Sequence, residues 1–428
     1  MSHDFDVIVA GGGPSGSSTA NFLRQKGRSV LVLERERFPR FHIGESLLPF
    51  GNDVWKELGV FEQLDATCMH KPGAYFIHEE SGSTFTYYFD TAIRPGRPYA
   101  FQVKRAEFDK LLLDRARELG AVVREQQKVL SYQPSADGVT VRVRDEAAGT
   151  DYSATAHMFV DATGRDAMLA GKLQLKVPED LMTTNVAVHC MFTGIERLPG
   201  SDEGNIIVGL FDGGWYWVIP FVGGDTSVGI VLEKSFTRIN KGLAAHDLYH
   251  SVISTLPHLR ERMKNAKPIL EVGSQANWSY RSRQFYADRA LLVGDAAAFV
   301  DPLFSTGVLL GINGAKFAAD ALDRAILEND FSTERWAAYQ QRCIAGMDIF
   351  KQLVTEFYAQ NLRKVLLASA NNPTICQVIT SILAGDVYKP SLWHGLVKKE
   401  GFSNFANVDR PSVRSSREAG PAQPSQIE

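Results

Sequence analysis

Asp6-Val7-Ile8-Val9-Ala10-Gly11-Gly12-Gly13-Pro14-Ser15-Gly16 is a short apolar run that passes straight into a glycine-rich turn. Ser17 to Lys26 then carries apolar residues at helical spacing, and Ser29-Val30-Leu31-Val32-Leu33 reads as a second strand ending in Glu34. Strand, turn, helix and strand make a βαβ unit, so the fold class is α/β with a Rossmann-like dinucleotide-binding domain. Gly11 permits the tight turn, Gly13 lets backbone approach a pyrophosphate, and Gly16 lets the helix pack on the strand. Glu34 stands 18 residues after Gly16, where a carboxylate accepts from a ribose hydroxyl. A glycine-rich loop in a plain α/β fold is the alternative; the four elements in register favour a dinucleotide.

A second stretch, Gly294-Asp295-Ala296-Ala297-Ala298-Phe299-Val300-Asp301-Pro302-Leu303-Phe304-Ser305-Thr306-Gly307, follows the apolar run Ala290 to Val293, which reads as a buried strand. Asp295, at the strand-to-loop turn, can reach a ligand hydroxyl. Past Pro302, the small residues Ser305, Thr306 and Gly307 precede Val308 to Lys316, which reads as a buried helix. Ser305 or Thr306 is expected to cap that helix, with unpaired N–H groups and a positive dipole end facing an anion. An ordinary proline turn and helix cap is the plain alternative.

The chain has 428 residues, 44% apolar and 22% charged, enough for a large core shared by two or three packed subdomains. Its 46 basic and 49 acidic residues leave a formal net charge of -3, which removes any electrostatic reason to expect nucleic acid. The amino terminus has no basic leader and Val7 to Ala10 is too short for a signal peptide or a span; a cytoplasmic location without a transmembrane segment is expected. Cys68, Cys190, Cys343 and Cys376 lie far apart, with no CxxC pair and no histidine at zinc spacing. They are expected to be reduced, and no metal site is expected.

Arg35 to Arg40 is basic, and Phe38 to Pro49, which includes Glu45 and Ser46, is interrupted by glycine and proline and reads as a loop near the cofactor. Asn52 to Leu64 carries one helical stripe. Lys71 heads an aromatic hairpin, Lys71 to His78 with Thr84 to Phe89, and a solvated surface lysine is its plain reading. Phe101 to Arg105 leads as a strand into an amphipathic helix, and Val122 to Val129 and Val139 to Val143 read as strands. Asp161-Ala162-Thr163-Gly164 ends another strand of the dinucleotide domain. Met182 to Leu232 is strand-rich and contains Trp215-Tyr216-Trp217-Val218-Ile219-Pro220, whose two tryptophans face one side. Helical patterns cover Gly311 to Ile326, Phe331 to Tyr358 and Thr374 to Leu383, and Arg410 to Glu428 has the composition of a disordered tail.

GGGPSG with Glu34, Arg105 in FQVKRAEFDKLLL, DATG at 161–164 and GDAAAFVDP at 294–302 together resemble the FAD-dependent aromatic hydroxylase superfamily. Within it, WYWVIP at 215–220 resembles the WxWxIP signature of the flavin-dependent halogenases. Phe299-x-x-Pro302-x-x-Ser305-x-Gly307 resembles their halide-site motif, and Lys71 in KPGAYF falls where they carry a catalytic lysine. The resemblance runs from Phe5 to about Tyr388. Tryptophan halogenases carry a glutamate immediately before the motif serine; Phe304 stands there, which sets this chain beside the phenol and pyrrole halogenases.

The resemblance implies an FAD-binding domain of the aromatic hydroxylase type, built from residues 1–70, 100–181 and 285–330. It also implies an inserted β-sheet substrate domain from 71–99 and 182–284, a helical C-terminal region at 331–409 and a tail at 410–428. FAD would be held by Gly11, Gly13, Ser15, Gly16, Glu34, Arg35, Glu45 and Ser46, together with Arg105, Asp161, Gly164, Asp295 and Pro302. Chloride or bromide would sit at Ser305, Thr306 and Gly307, with Trp215, Trp217 and Pro220 shielding the flavin and Lys71 catalytic.

The activity implied is FADH2- and O2-dependent chlorination or bromination of an electron-rich aromatic, free or tethered to an acyl or peptidyl carrier protein. It would run through a flavin hydroperoxide and hypohalous acid relayed by Lys71, either as an ammonium hydrogen-bonding the acid or as a neutral amine forming a haloamine. The chain has no second strand-GxGxxG-helix unit for a nicotinamide, so reduced FAD is expected from a separate flavin reductase. The rival readings are an FAD-dependent aromatic monooxygenase, a geranylgeranyl-reductase-like flavoprotein and a non-catalytic flavoprotein.

Overall fold

Phe5–Ala10 sits inside the first sheet, with Val30–Leu33 and Thr150–Asp161 parallel on its two sides. Val122–Arg124 and Ala290–Leu292 extend the parallel core, and the antiparallel strands Val139–Asp145 and Gln127–Pro134 continue from Thr150–Asp161. Strands covered on both faces need no polar alternation. Accordingly Val7, Ile8, Val9, Leu31, Val32, Leu291 and Leu292 are all buried. The computed structural model describes residues 3–94, 96–178, 185–239, 242–276, 279–359, 366 and 372–388. The expected tail at 410–428 and much of 360–409 lie outside these.

The helix Pro14–Gln25 follows the first strand, with extended Gly13 before it and Pro14 at its first position, where a missing N–H costs nothing. Gly307–Glu328 and Trp336–Tyr358 are the two long helices of the C-terminal half, and Pro373–Leu383 follows. No helix among the described residues is long and apolar enough to cross a membrane.

The second sheet runs Lys267–Pro268, Val186–Thr193, Thr226–Leu232, Gly214–Pro220, Ile206–Phe211, Gly73–His78, Thr84–Tyr88, and Gly273–Ala276 also pairs with Val186–Thr193. Its strand Gly214–Pro220 separates two cores by the period of two. Trp215, Trp217 and Ile219 enter the larger core, whereas Tyr216 and Val218 enter a second one with Leu248, Tyr249 and Val252 of the helix Ala245–Ser254. A small ladder, Met69–Lys71 against Ala100–Gln102, joins the two halves, and Ser46 bridges to Gln102.

Two expected elements come apart. Asn52 to Leu64 is two helices, Asn52–Leu58 and Phe61–Thr67, because Gly59 turns left-handed (φ 73°) and ends the first. Val122 to Val129 is likewise broken into Val122–Arg124 and Gln127–Pro134 at Gln126, whose φ is 59°.

Candidate active site

Between the carboxyl ends of the parallel strands and the tryptophan face of the second sheet lies a cavity of about 870 Å³, at the large end for ligand pockets. Of the residues singled out in the sequence, Gly11, Gly13, Ser15, Glu34, Arg35, Glu45, Ser46 and Arg105 line it. So do Gly164, Trp215, Trp217, Asp295, Pro302, Ser305, Thr306 and Gly307. Gly16, Lys71, Asp161 and Pro220 do not.

The glycines of the first turn separate by their surroundings. A Cβ on Gly11, whose φ is +101°, would lie 2.3 Å from the Ala162 carbonyl oxygen, and one on Gly16 would lie 2.0 Å from that of Gly11. Packing alone therefore demands glycine at 11 and 16, and Gly16 serves the helix-to-turn contact rather than the cavity wall. A Cβ on Gly13 would meet nothing closer than the Arg40 guanidinium at 3.6 Å. That open room lies in front of the Pro14–Gln25 N-terminus, whose first turn carries no acidic residue, and it suits a phosphate.

Glu34 ends the second strand. Its carboxylate accepts from Gly12 N at 2.6 Å and Glu36 N at 2.8 Å, while burial raises its pKa. Asp109, fully buried and unremarked in the sequence, orients two arginines at the wall. It accepts from Arg105 Nε at 2.7 Å and Nη2 at 3.0 Å, and from Arg40 Nη1 at 3.0 Å. Its position four residues after Arg105 on a helix was the available signal. Asp161 corrects its expected role: it accepts from Thr163 N and Oγ1 and from Leu169 N, so its carboxylate shapes the DATG turn instead of facing a ligand. Pro220, at the end of its strand opposite Thr226, is also off the wall.

Two wall carboxyls are pushed up by burial against the pull of Arg105: Asp295 to about 6, with Arg165 opposing as well, and Glu45 to about 7, with Ser227 opposing first. The buried Glu45 Oε2 and Ser46 Oγ have no partner among the described residues, a deficit that a polar ligand in the cavity would remove. These observations fit a dinucleotide such as FAD.

In the stretch after Asp295, Asp301 Oδ1 accepts from Leu303 N at 2.9 Å and caps the short turn Pro302–Phe304. Ser305 is left-handed (φ 58°), and the helix starts at Gly307. Neither Ser305 nor Thr306 caps it with its side chain, contrary to expectation, because Ser305 is spent on the reversal and Thr306 is already near-helical. The first-turn N–H groups stay uncapped and no acidic residue offsets the dipole. A Cβ on Gly307 would touch nothing within 4 Å. Opposite stand Trp215 and Trp217, ring centroids 5.9 Å apart, with Trp217 Nε1 donating to Ser227 Oγ at 3.1 Å.

Lys71 is not a surface lysine. It is 2% exposed, its Nζ donates to the Leu47 carbonyl at 3.0 Å and lies 5.4 Å from the Phe89 ring centroid, and burial lowers its pKa from 10.5 to about 7. Cross-strand partners share a face, so the pairs Lys71–Ala100, Met69–Gln102 and Ser46–Gln102 place Lys71, Gln102 and Ser46 on one side of the small ladder. Gln102 Oε1, like Ser46 Oγ, is buried without a partner among the described residues. A face of unsatisfied polar atoms thus runs from the cavity wall at Ser46 to Lys71.

A family model described as "FAD binding domain" matches residues 4–348. The chain is 30% identical over 409 residues to the 1H-pyrrole-2-carbonyl-[peptidyl-carrier protein] chlorinase of Pseudomonas fluorescens, covering 90% of each chain. It is 31% identical over 392 residues to the corresponding brominase of Pseudoalteromonas luteoviolacea, covering 91% of this chain and 94% of the relative. The solved structure of the flavin-dependent brominase Bmp2 superposes with a TM-score of 0.82 at 26% identity, over 94% of this chain and 97% of that one. With this cavity, its anion-ready helix ends and these relatives, the chain belongs to the flavin-dependent halogenases within the FAD-binding-domain family, enzymes that use FAD and a halide.

Proposed function

We propose that the enzyme chlorinates or brominates a pyrrole or phenol tethered to a carrier protein, with reduced FAD delivered by a separate flavin reductase and Lys71 passing the halogen to the ring. The observation that carries this reading is the buried Lys71, its Nζ hydrogen-bonded to the Leu47 carbonyl and its pKa lowered by burial to about 7, on the polar face that leads from the cavity wall. The pyrrole-carrier chemistry named for two relatives supports the substrate class. Residues 71–99 and 182–284 form the substrate side; 1–70, 100–181 and 285–330 form the FAD side.

Gly13 and the first turn after it, with Arg40 and Arg105, hold the pyrophosphate; Glu34 takes a ribose hydroxyl; Asp295, Glu45 and Ser46 meet the remaining polar atoms. The uncapped N–H groups at Thr306 and Gly307 seat the halide. Reduced FAD held by these residues would supply the activation of oxygen, for an overall balance FADH2 + O2 + X⁻ + H⁺ → FAD + HOX + H2O. The paired tryptophans exclude water and substrate from that step. Neutral Lys71 then takes the halogen (HOX + RNH2 → RNHX + H2O), and transfer to the ring exchanges C–H for C–X and returns the amine. Phe304, buried with its ring against Phe357, stands where tryptophan halogenases carry a glutamate, which supports a phenol or pyrrole over free tryptophan.

The test combines the protein, a flavin reductase, chloride or bromide, and pyrrole-2-carbonyl carrier, free pyrrole and phenol substrates, read by isotope pattern. Halogenated carrier-bound product that is lost in Lys71→Ala is the expected outcome. Hydroxylated product without halogen, or normal halogenation by Lys71→Ala, would overturn it.

A further inference from the structure

The end of the helix Trp336–Tyr358 reaches both the loop Asp301–Gly307 and the tryptophan strand. Trp215 Nε1 donates to Tyr358 Oη at 3.1 Å, and the Tyr358 hydroxyl lies 3.1 Å from Asp301 Oδ2. The direction of this chain is settled by chemistry: indole N–H can only donate, so the phenol accepts from Trp215 and gives its own proton to the carboxylate. Asp301, 4% exposed, receives that hydrogen bond on Oδ2 and the Leu303 N–H on Oδ1. The preceding residue of the helix adds a second hold: the Phe357 ring meets Phe304 edge to face, with centroids 6.0 Å apart and planes at 88°.

We propose that Tyr358 is a positioning residue for the halide seat: it ties Asp301 to Trp215 and so sets the left-handed turn at Ser305 in register with the tryptophan wall. Three segments far apart in sequence meet at its one hydroxyl. The two oxygens of Asp301 split the task, one forming the Pro302–Phe304 turn and the other anchoring that turn to the helix Trp336–Tyr358. Phe357 on Phe304 keeps the same turn from rotating about the anchor. Tyr358 does not itself line the cavity, so it acts through Asp301 and Trp215, both of which do.

The proposal rests on the reading of Ser305 to Gly307 as the halide seat, and two readouts separate them. Tyr358→Phe keeps the ring and removes both hydrogen bonds. In the full-length protein, amide exchange across residues 303–308 should quicken about ten-fold, the scale of a lost hydrogen bond to a charged acceptor. In steady-state assays, KM for chloride or bromide should rise by a similar factor while kcat at saturating halide falls much less. Trp215→Phe combined with Tyr358→Phe should be no worse than the worse single variant, because both remove one linked unit. Unchanged loop exchange, or faster exchange with an unchanged halide KM, would overturn the positioning role, as would a drop in Tm with neither change. If Gly307→Val halogenates with a normal halide KM, the halide-seat reading fails on its own.

Discussion

Lys71 shows how burial couples one side chain's protonation to the stability of the fold. With its pKa lowered from 10.5 to about 7, the unfolded chain carries a proton on this side chain that the folded protein lacks throughout that interval. Stability therefore rises with pH between about 7 and 10.5 on account of this residue alone. Lys71→Met, which keeps the apolar stem, should be more stable than the parent at pH 7, with the gap narrowing as pH rises; urea melts across pH 7–10 measure it. If the neutral amine takes the halogen, halogenation should climb through pH 7 and level off above it, and Lys71→Arg should be inactive, since guanidinium stays protonated. A pH-independent rate, or an active arginine variant, would point to the ammonium acting by hydrogen bonding alone. At Gly13 the forecast is simpler. A Cβ there has only Arg40 within 4 Å, so Gly13→Val should fold yet bind FAD far more weakly, as flavin absorbance after gel filtration would report.

The functional parts of the elements are their ends. Two helices, Pro14–Gln25 and Gly307–Glu328, start at the cavity without an acidic residue in the first turn, so each presents an uncompensated N-terminus to it. A Cβ at 307 meets no neighbouring segment within 4 Å, so Gly307→Val should keep its fold and its FAD while raising KM for halide at least about ten-fold, the factor that goes with losing about 1.4 kcal/mol of binding. The helix Arg105–Glu118 contributes a different device, one buried carboxylate holding two arginines. Asp109→Asn should cost about 3–5 kcal/mol of stability, because it leaves buried guanidinium charge unpaired, and should weaken FAD binding in the same titration. Retained stability and affinity would show that Arg40 and Arg105 are held by their other contacts.

Across the molecule, the cavity is a joint between two sheets, and neither sheet makes it alone. A ligand spanning that joint should stabilise the folded state as a whole. At a thousand-fold excess over Kd, FAD should add about 4 kcal/mol, visible as a rise in Tm that tracks ligand concentration. A concentration-independent Tm would mean that FAD does not bind the folded chain in preference to the unfolded one. Lys71 lies at the same joint, on the small ladder that ties the aromatic hairpin strand to the loop carrying Glu45 and Ser46.

What the sequence determined by itself was local. The βαβ start, the glycine turn, Glu34 at the end of its strand and the alternation of Trp215 and Trp217 follow from backbone geometry and from periods of two and 3.6 residues, which need no knowledge of distant partners. The strand, proline turn and helix start around 294–307 were legible for the same reason, whereas their halide role came from a family resemblance. The errors arose where a tertiary partner or a backbone reversal outweighed pattern: Gly59 split one helical stripe, Ser305 gave up a cap to make a turn, and Asp161 spent its carboxylate on its own loop. Only the folded chain decided that Lys71 is buried, since its burial comes from Leu47, Phe89 and the ladder around it. Only it could join Trp215 to Tyr358 across 143 residues or set Asp301 under that same hydroxyl. A hydrogen bond depends on where two chains of contacts converge in space, and no spacing along the sequence encodes that convergence.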